Sequence, residues 1–357
     1  MIPADWLELT LWSAVERGAS DIHVEPHADH VRVRLRVDGF LLELQRLEAD
    51  DAASIATRIK VAAQLDIAER HLPQDGRLVW QFGQSHIDFR VSIMPTLHGE
   101  KAVLRMQDRV ASDIGMDRLG LSPDQLSLFR HHLDLPHGLI LVTGPTGSGK
   151  TVTLYAALQY LNRVHRNVST VEDPIELAID GINQVAMNAR RGLTFTKVLR
   201  GFLRQDPDVL MVGEIRDPET AEIAVKAAQT GHLVLSTLHT NDSVQAVQRL
   251  ASLGIAPHDI GASLSLVIAQ RLVRKLHGCN GGCRECHQGF RGRAGLFEML
   301  PFTARSRADL QAHHFSTGSL RQYMTEQNLE TLADAGQRLA RNGITTHAEV
   351  LRVCMEN

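Results

Sequence analysis

The 357 residues carry 38 Lys and Arg against 41 Asp and Glu, a formal net charge of −3, which excludes a chain built to coat nucleic acid or an anionic membrane. Apolar residues make up 43% and aromatic residues 4%, an ordinary load for a globular α/β protein, and no apolar run reaches the roughly 18–20 residues of a membrane helix. Four cysteines, three of them crowded together, do not make a secreted disulfide framework, and the start Met1-Ile-Pro-Ala-Asp has no signal-peptide character, so a cytoplasmic protein of two domains is expected.

In chain order, helical spacing at Leu7, Leu11, Ala14 and Val15 ends at Gly18. The alternating runs 21–24 and Val31–Val37 follow, and Asp38-Gly39 before Phe40 is a hairpin signal. Ala52 to Ile67 has helical period, Pro73-Gln-Asp-Gly76 reads as a turn, and Arg77–Phe82, His86–Met94 and Lys101–Met106 read as strands. This first domain occupies 1–107, and 108–120 reads as a linker with a short helix. From 121 to 357, helices alternate with the apolar strands Leu139–Thr143, Val168–Glu172, Val209–Val212 and Leu233–Thr237, the pattern of a parallel sheet, and the stretch after Leu300 reads as all-helical.

The densest chemical signal is Gly144-Pro145-Thr146-Gly147-Ser148-Gly149-Lys150-Thr151, which fits G-x-x-x-x-G-K-[ST] between a buried strand and a helix, Val152–Leu161. Glycines let backbone N–H groups close around a polyphosphate at a helix N-terminus, Lys150 reaches the outer phosphates and Thr151 ligates Mg²⁺. In Thr170-Val-Glu172-Asp173-Pro-Ile-Glu176 a strand runs into three carboxylates, which read as a Mg²⁺ anchor. Val209-Leu-Met-Val-Gly213-Glu214 resembles a Walker B strand with Gly213 where Asp is usual, leaving Glu214 to orient or deprotonate water. His232 and His239 stand at the two ends of one predicted strand and are expected to sense phosphate or water. Arg32, Arg34, Arg36, Arg77, Arg90 and Arg105 all fall in the first domain, a charged strand face or a source of an arginine finger.

These segments together resemble the secretion ATPase superfamily of type II secretion systems and type IV pili. Their counterparts there are the Walker A, Asp, Walker B and His boxes. The first domain shares Gly18-Ala-Ser-Asp-Ile-His-Val-Glu-Pro26, Arg36-Val-Asp-Gly39, Leu65-Asp-Ile-Ala-Glu-Arg70, Leu72-Pro-Gln-Asp-Gly-Arg77, Asp88-Phe-Arg-Val-Ser92, Gly99-Glu-Lys101 and Leu104-Arg105 with it, so the likeness runs through essentially the whole chain.

The resemblance implies a PAS-like α+β first domain and a RecA-like P-loop core with a helical tail. It implies a hexamer that hydrolyses ATP with Mg²⁺ to drive assembly of a pseudopilus or pilus, docked on an inner-membrane platform protein without inserting in the membrane. The alternatives are a retraction or competence-type motor and a non-hydrolysing scaffold. Glu172, Glu176, Glu214, His232 and His239 are the expected catalytic set, with Arg90 and Arg105 as fingers and Arg77 third. Two departures stand out. Family members usually open with an extra docking domain, whereas this chain starts almost at the second one, so the usual docking mode is not assured. Two C-x-x-C pairs are also reduced, within 277–293, to Cys279, Cys283 and Cys286 flanked by His277 and His287, either a compact zinc site or a vestigial loop.

Overall fold

The computed structural model describes residues 3, 5–83, 85–107, 115–279, 283, 286–312 and 316–354. The chain divides into two compact units, residues 1–110 with 283–287, and residues 111–282 with 288–357. Of the expected linker, 108–114 lie outside the described residues, and Met116–Arg118 form a single 3₁₀ turn.

The first unit runs α1 (Trp6–Glu16), β1 (Ala19–Pro26), β2 (His30–Val37), β3 (Phe40–Glu48), α2 (Ala52–Ala62), β4 (Gln74–Phe82), β5 (Ser85–Thr96) and β6 (Gly99–Gln107). Its strands form one antiparallel sheet in the order β3-β2-β1-β6-β5-β4. Alternation gives this sheet two unlike faces. One carries Ile22, Val24, Val33, Leu35, Phe89, Val91 and Leu104 and is sealed by Leu7 and Leu11 of α1 and Ile55 and Ile59 of α2. The other carries the arginines. Asp38 and Gly39, at φ 49° and 89°, make the predicted hairpin turn.

Two expectations fail here for tertiary reasons. The helix α2 ends at Ala62, not Ile67, because Gln64 turns to φ 57° and the Asp66 carboxylate accepts the N–H groups of Ala68 and Glu69 at 2.8 and 3.4 Å. Lys60, fully buried, locks that loop by donating to the Glu69 carbonyl and pairing with Glu100. Nor is Gly76 a turn residue: it lies inside β4 opposite Val91. A Cβ there would stand 2.7 Å from Leu65 Cδ2 and 2.9 Å from the Ala63 carbonyl, so the glycine serves a close approach.

In the second unit, α3 (Pro123–Leu133) leads into β7 (Gly138–Thr143), α4 (Lys150–Leu161), β8 (Val168–Glu172), β9 (Asn183–Ala186), α5 (Phe195–Phe202) and β10 (Val209–Val212). There follow α6 (Pro218–Gln229), β11 (Leu233–Leu238), α7 (Ser243–Ser252), α8 (Pro257–Ser263), β12 (Leu264–Leu276) and β13 (Phe290–Pro301). Helices α9 (Ala304–Ala312), α10 (Thr317–Glu326), α11 (Leu332–Arg341) and α12 (His347–Cys354) complete it. The sheet order is β13-β12-β7-β11-β10-β8-β9, parallel except for the β12–β13 hairpin.

All four predicted strands are present within a residue of their expected ends, because strands buried on both faces read as mostly apolar runs. Helices α5, α6, α7, α8 and α10 cover one face and α3 and α4 the other. The predicted all-helical tail is α9–α12. Strands β7, β11, β10 and β8 are parallel neighbours, so their carboxyl ends open on one edge, where ligands bind in such sheets.

Candidate nucleotide site

The loop between β7 and α4 is the predicted phosphate cradle, and its local geometry follows from its glycines. A Cβ at Gly144 would lie 2.5 Å from the Gln270 carbonyl and 2.6 Å from Ser148 Oγ, and φ there is 150°, so no other residue fits. Gly149, at φ 89°, turns the chain into α4 with the first N–H groups of that helix facing the loop. Lys150 Nζ donates to the carbonyls of Gly144 and Pro145 at 2.7 and 3.0 Å. Burial pushes its ammonium down to about 8; Glu214 pulls against that shift and Arg271 adds to it. Ser148 Oγ is buried and has no hydrogen-bond partner among the described residues. A lysine resting on its own loop, an orphaned hydroxyl and a helix N-terminus form the donor set a polyphosphate takes up.

A cavity of about 440 Å³ opens over this loop, lined by Thr151, Asp173, Glu176, Glu214 and His239 among others. Four sequence segments thus converge at the strand ends as expected. Glu214, just beyond β10, pairs with Arg216, and its Oε2 lies 3.6 Å from His239 Nε2. Burial, with Lys150 next in importance, holds His239 below its ordinary value, so its imidazole is neutral near pH 7. Gly213 is held by its N–H to the Val171 carbonyl and by Thr237, whose hydroxyl donates to the Gly213 carbonyl.

Two sequence expectations change. His232 stands at the amino end of β11, opposite the edge that carries the P-loop, and its Nδ1 sits 3.0 Å from the Ala227 carbonyl. A six-residue strand separates it from His239, so His232 finishes α6 and does not join the site. Glu172 does line the cavity, but its carboxylate is buried among protein donors: Tyr155 at 2.5 Å, Thr170 at 2.6 Å and Gln184 at 3.1 Å. Asp173 and Glu176 are exposed and line the same cavity. Tyr155, Arg216, Leu272 and Arg293 also line or touch this cavity and were not anticipated. Only Arg216, two residues past Glu214, carried a signal in its spacing.

The finger candidates lie in the first unit in one cross-strand row: Arg77 faces Arg90, Arg90 faces Arg105, Arg105 faces Asp21, and Asp21 faces Arg36. Like charges directly opposite are destabilising, so a row holding Arg77, Arg90 and Arg105 side by side needs anions. Asp88 answers Arg77 and Asp21 answers Arg105 at 2.8 and 2.9 Å, while Arg90 is received by the Gln107 amide oxygen at 2.7 and 2.8 Å. Arg32 and Arg34 share the same face and converge on Glu25.

In the loop joining β12 to β13, the ligand atoms of His277, Cys279, Cys283 and Cys286 all lie within 4.8 Å of one another. Three thiols and one imidazole in that space match a four-coordinate zinc donor set, with His277 completing it in place of His287.

The sequence pattern of the family described as "Type II/IV secretion system protein" matches residues 3–352. The chain is 46% identical over 374 residues to the protein transport protein HofB homolog of Escherichia coli K12, covering 98% of this chain and 81% of that protein. It is 42% identical over 387 residues to the type IV pilus assembly ATPase PilB of Acinetobacter baylyi, covering 98% of this chain and 66% of PilB. The crystal structure of the pilus retraction motor PilT with bound ADP superposes with a TM-score of 0.68 at 27% identity, over 97% of this chain and 96% of PilT. The second unit accordingly has the RecA-like ATPase fold, and the likeness extends over both units. With P-loop, acidic loop, Glu214 and His239 gathered at one sheet edge, the chain belongs to the type II/IV secretion system ATPase family.

Proposed function

We propose that this protein is the ATP-hydrolysing motor subunit that drives assembly of a type II secretion pseudopilus or a type IV pilus. The observation that carries the reading is the convergence of Lys150, Thr151, Glu214 and His239 on one cavity at the edge of a parallel sheet. Backbone N–H groups of Gly147 to Thr151 bind the phosphate chain, and Lys150 leaves its two carbonyls to pair with phosphate charge. Thr151, Asp173 and Glu176 would hold Mg²⁺ and its water shell, and the ion would supply positive charge to the phosphates. Glu214 orients and deprotonates the attacking water, with neutral His239 beside it. That role requires Glu214 to leave Arg216 when substrate is in place.

Arg90 and Arg105 supply positive charge to the transferred phosphoryl group in a ring of six subunits, with Arg77 as the third member of the row. Nucleotide favours the closed ring, so specific activity rises with protein concentration. The ring works on the cytoplasmic side of the inner membrane against a platform protein; no described helix is long and apolar enough to cross a membrane. The Cys-containing loop takes one zinc ion per chain. That loop, and the closer likeness to a protein named for pilus assembly than to the retraction motor, favour assembly over retraction.

The deciding measurement is turnover of Glu214→Gln beside the wild type. The variant is expected to bind nucleotide normally and to lose about 10²–10⁴ in kcat. An unchanged kcat would remove Glu214 from the chemistry, and no turnover by the wild type at any concentration would favour the scaffold reading.

A further inference from the structure

Tyr155 is the largest fully buried side chain among the described residues, and the chemistry above does not use it. It projects from α4, the helix that begins at Lys150, and its hydroxyl has three partners. It donates to Glu172 Oε2 at 2.5 Å and accepts from the N–H groups of Glu176 and Leu177 at 3.1 and 3.3 Å. Burial, and then the Glu172 carboxylate, push its pKa up, so the hydroxyl keeps its proton throughout the working range. Glu172 is fixed in turn from the sheet side by Thr170 and Gln184, and Gln184 also donates to the Leu177 carbonyl at 2.9 Å.

One hydroxyl therefore ties three pieces together: the helix that receives phosphate, the end of β8, and the loop 173–177 whose Asp173 and Glu176 face the cavity. A phenylalanine would pack the same ring but would leave two N–H groups and a buried carboxylate without their partner.

We propose that Tyr155 is a positioning residue: it holds the acidic loop to the P-loop helix and so couples metal binding to nucleotide binding. This rests on the nucleotide-motor reading. Its signature differs from that of a packing residue, because the nucleotide's own contacts lie on the loop 144–151 and are untouched. What changes is the placement of Asp173 and Glu176 relative to Thr151.

The test uses the full chain and a fluorescent ADP analogue, with binding measured in excess EDTA and again across a Mg²⁺ titration. In EDTA, Tyr155→Phe should bind within about twofold of the wild type. Losing a hydrogen bond to a charged group costs about 1.5–3 kcal/mol, so the Mg²⁺ concentration that half-saturates tightening should rise by about tenfold or more. Glu172→Gln, which weakens the same anchor but keeps the tyrosine, should shift that midpoint in the same direction by less. It decides the matter if the phenylalanine variant does not fold. A wild-type Mg²⁺ midpoint, or an equal loss of binding with and without metal, overturns the coupling role of Tyr155 and leaves the motor reading standing. Failure of the wild type to bind the analogue at all overturns both.

Discussion

The two sheets of this protein solve the same burial problem in opposite ways. The second unit's sheet is covered on both faces, so β7, β8, β10 and β11 are buried along their whole length and the cavity opens only at their carboxyl ends. In the first unit's sheet the helices α1 and α2 cover one face, and the other carries charged residues along its strands. A closed sheet concentrates function at an edge, where backbone N–H groups and loop carboxylates meet. An open sheet distributes it as a two-dimensional array, here three adjacent arginines in one row. In the function proposed above, the first arrangement would recognise a phosphate chain by shape, and the second would supply charge to it.

The sharpest way to break this comparison is to remove charge from the open face. Arg90→Ala and Arg105→Ala should each lower kcat by about 10³–10⁵ in the assembled protein, measured as steady-state ATP hydrolysis, with nucleotide affinity little changed. Near-normal turnover in both would reduce the row to a solvated surface.

A second experiment sharpens it through acid stability. Burial alone would raise the pKa of Glu25, but hydrogen bonds from Arg34 and Lys101 bring it down to about 2; Glu349, between Arg352 and Arg274, ends at about 2 by the same balance. Both folded-state values lie below the ordinary 4.5, so each glutamate stabilises its unit above about pH 4.5. That contribution is lost as pH falls from about 4.5 toward 2. Glu25→Gln should cost the first unit about 1.5–3 kcal/mol at neutral pH and flatten its acid dependence, followed by hydrogen exchange in β1 and β2. Loss of protection in the second unit instead would contradict the separation of the two ion clusters.

Third, Gly76→Ala should destabilise the first unit by about 1–3 kcal/mol through the clash with Ala63 and Leu65, read as a lower thermal midpoint. The last experiment concerns Lys150. With its ammonium pushed down to about 8 in the free protein and raised by phosphate when bound, nucleotide affinity should be constant below pH 7 and weaken above pH 8. The slope should approach tenfold per unit, and Lys150→Ala should abolish both the slope and tight binding.

What the sequence displayed follows the same divide. Doubly buried strands announce themselves by mostly apolar runs, and the P-loop by glycines whose spacing is fixed by phosphate geometry. Features set by distant partners were silent. Gly76 looks like a turn until Leu65 is seen against it, and α2 overran because Asp66 and Lys60 close the following loop. His232 shared a motif with His239, yet a parallel strand sends its two ends to opposite edges. The hairpin β12–β13 went unread because its pairing, Leu266 with Pro301 through Leu276 with Phe290, spans the Cys-containing loop. Tyr155 was invisible for the opposite reason: an apolar helix position hides a hydroxyl whose partners are on another segment.

That hairpin has a mechanical side. Its strand β12 passes Gln270 and Leu272 beside the P-loop glycines and runs on to His277, where the thiol-and-imidazole cluster begins. At about 3.3 Å per residue, roughly 16 Å of paired strand separates Leu272 from His277. A strand hydrogen-bonded to a partner hardly stretches along its axis, so the P-loop end of β12 and its far tip keep a fixed separation.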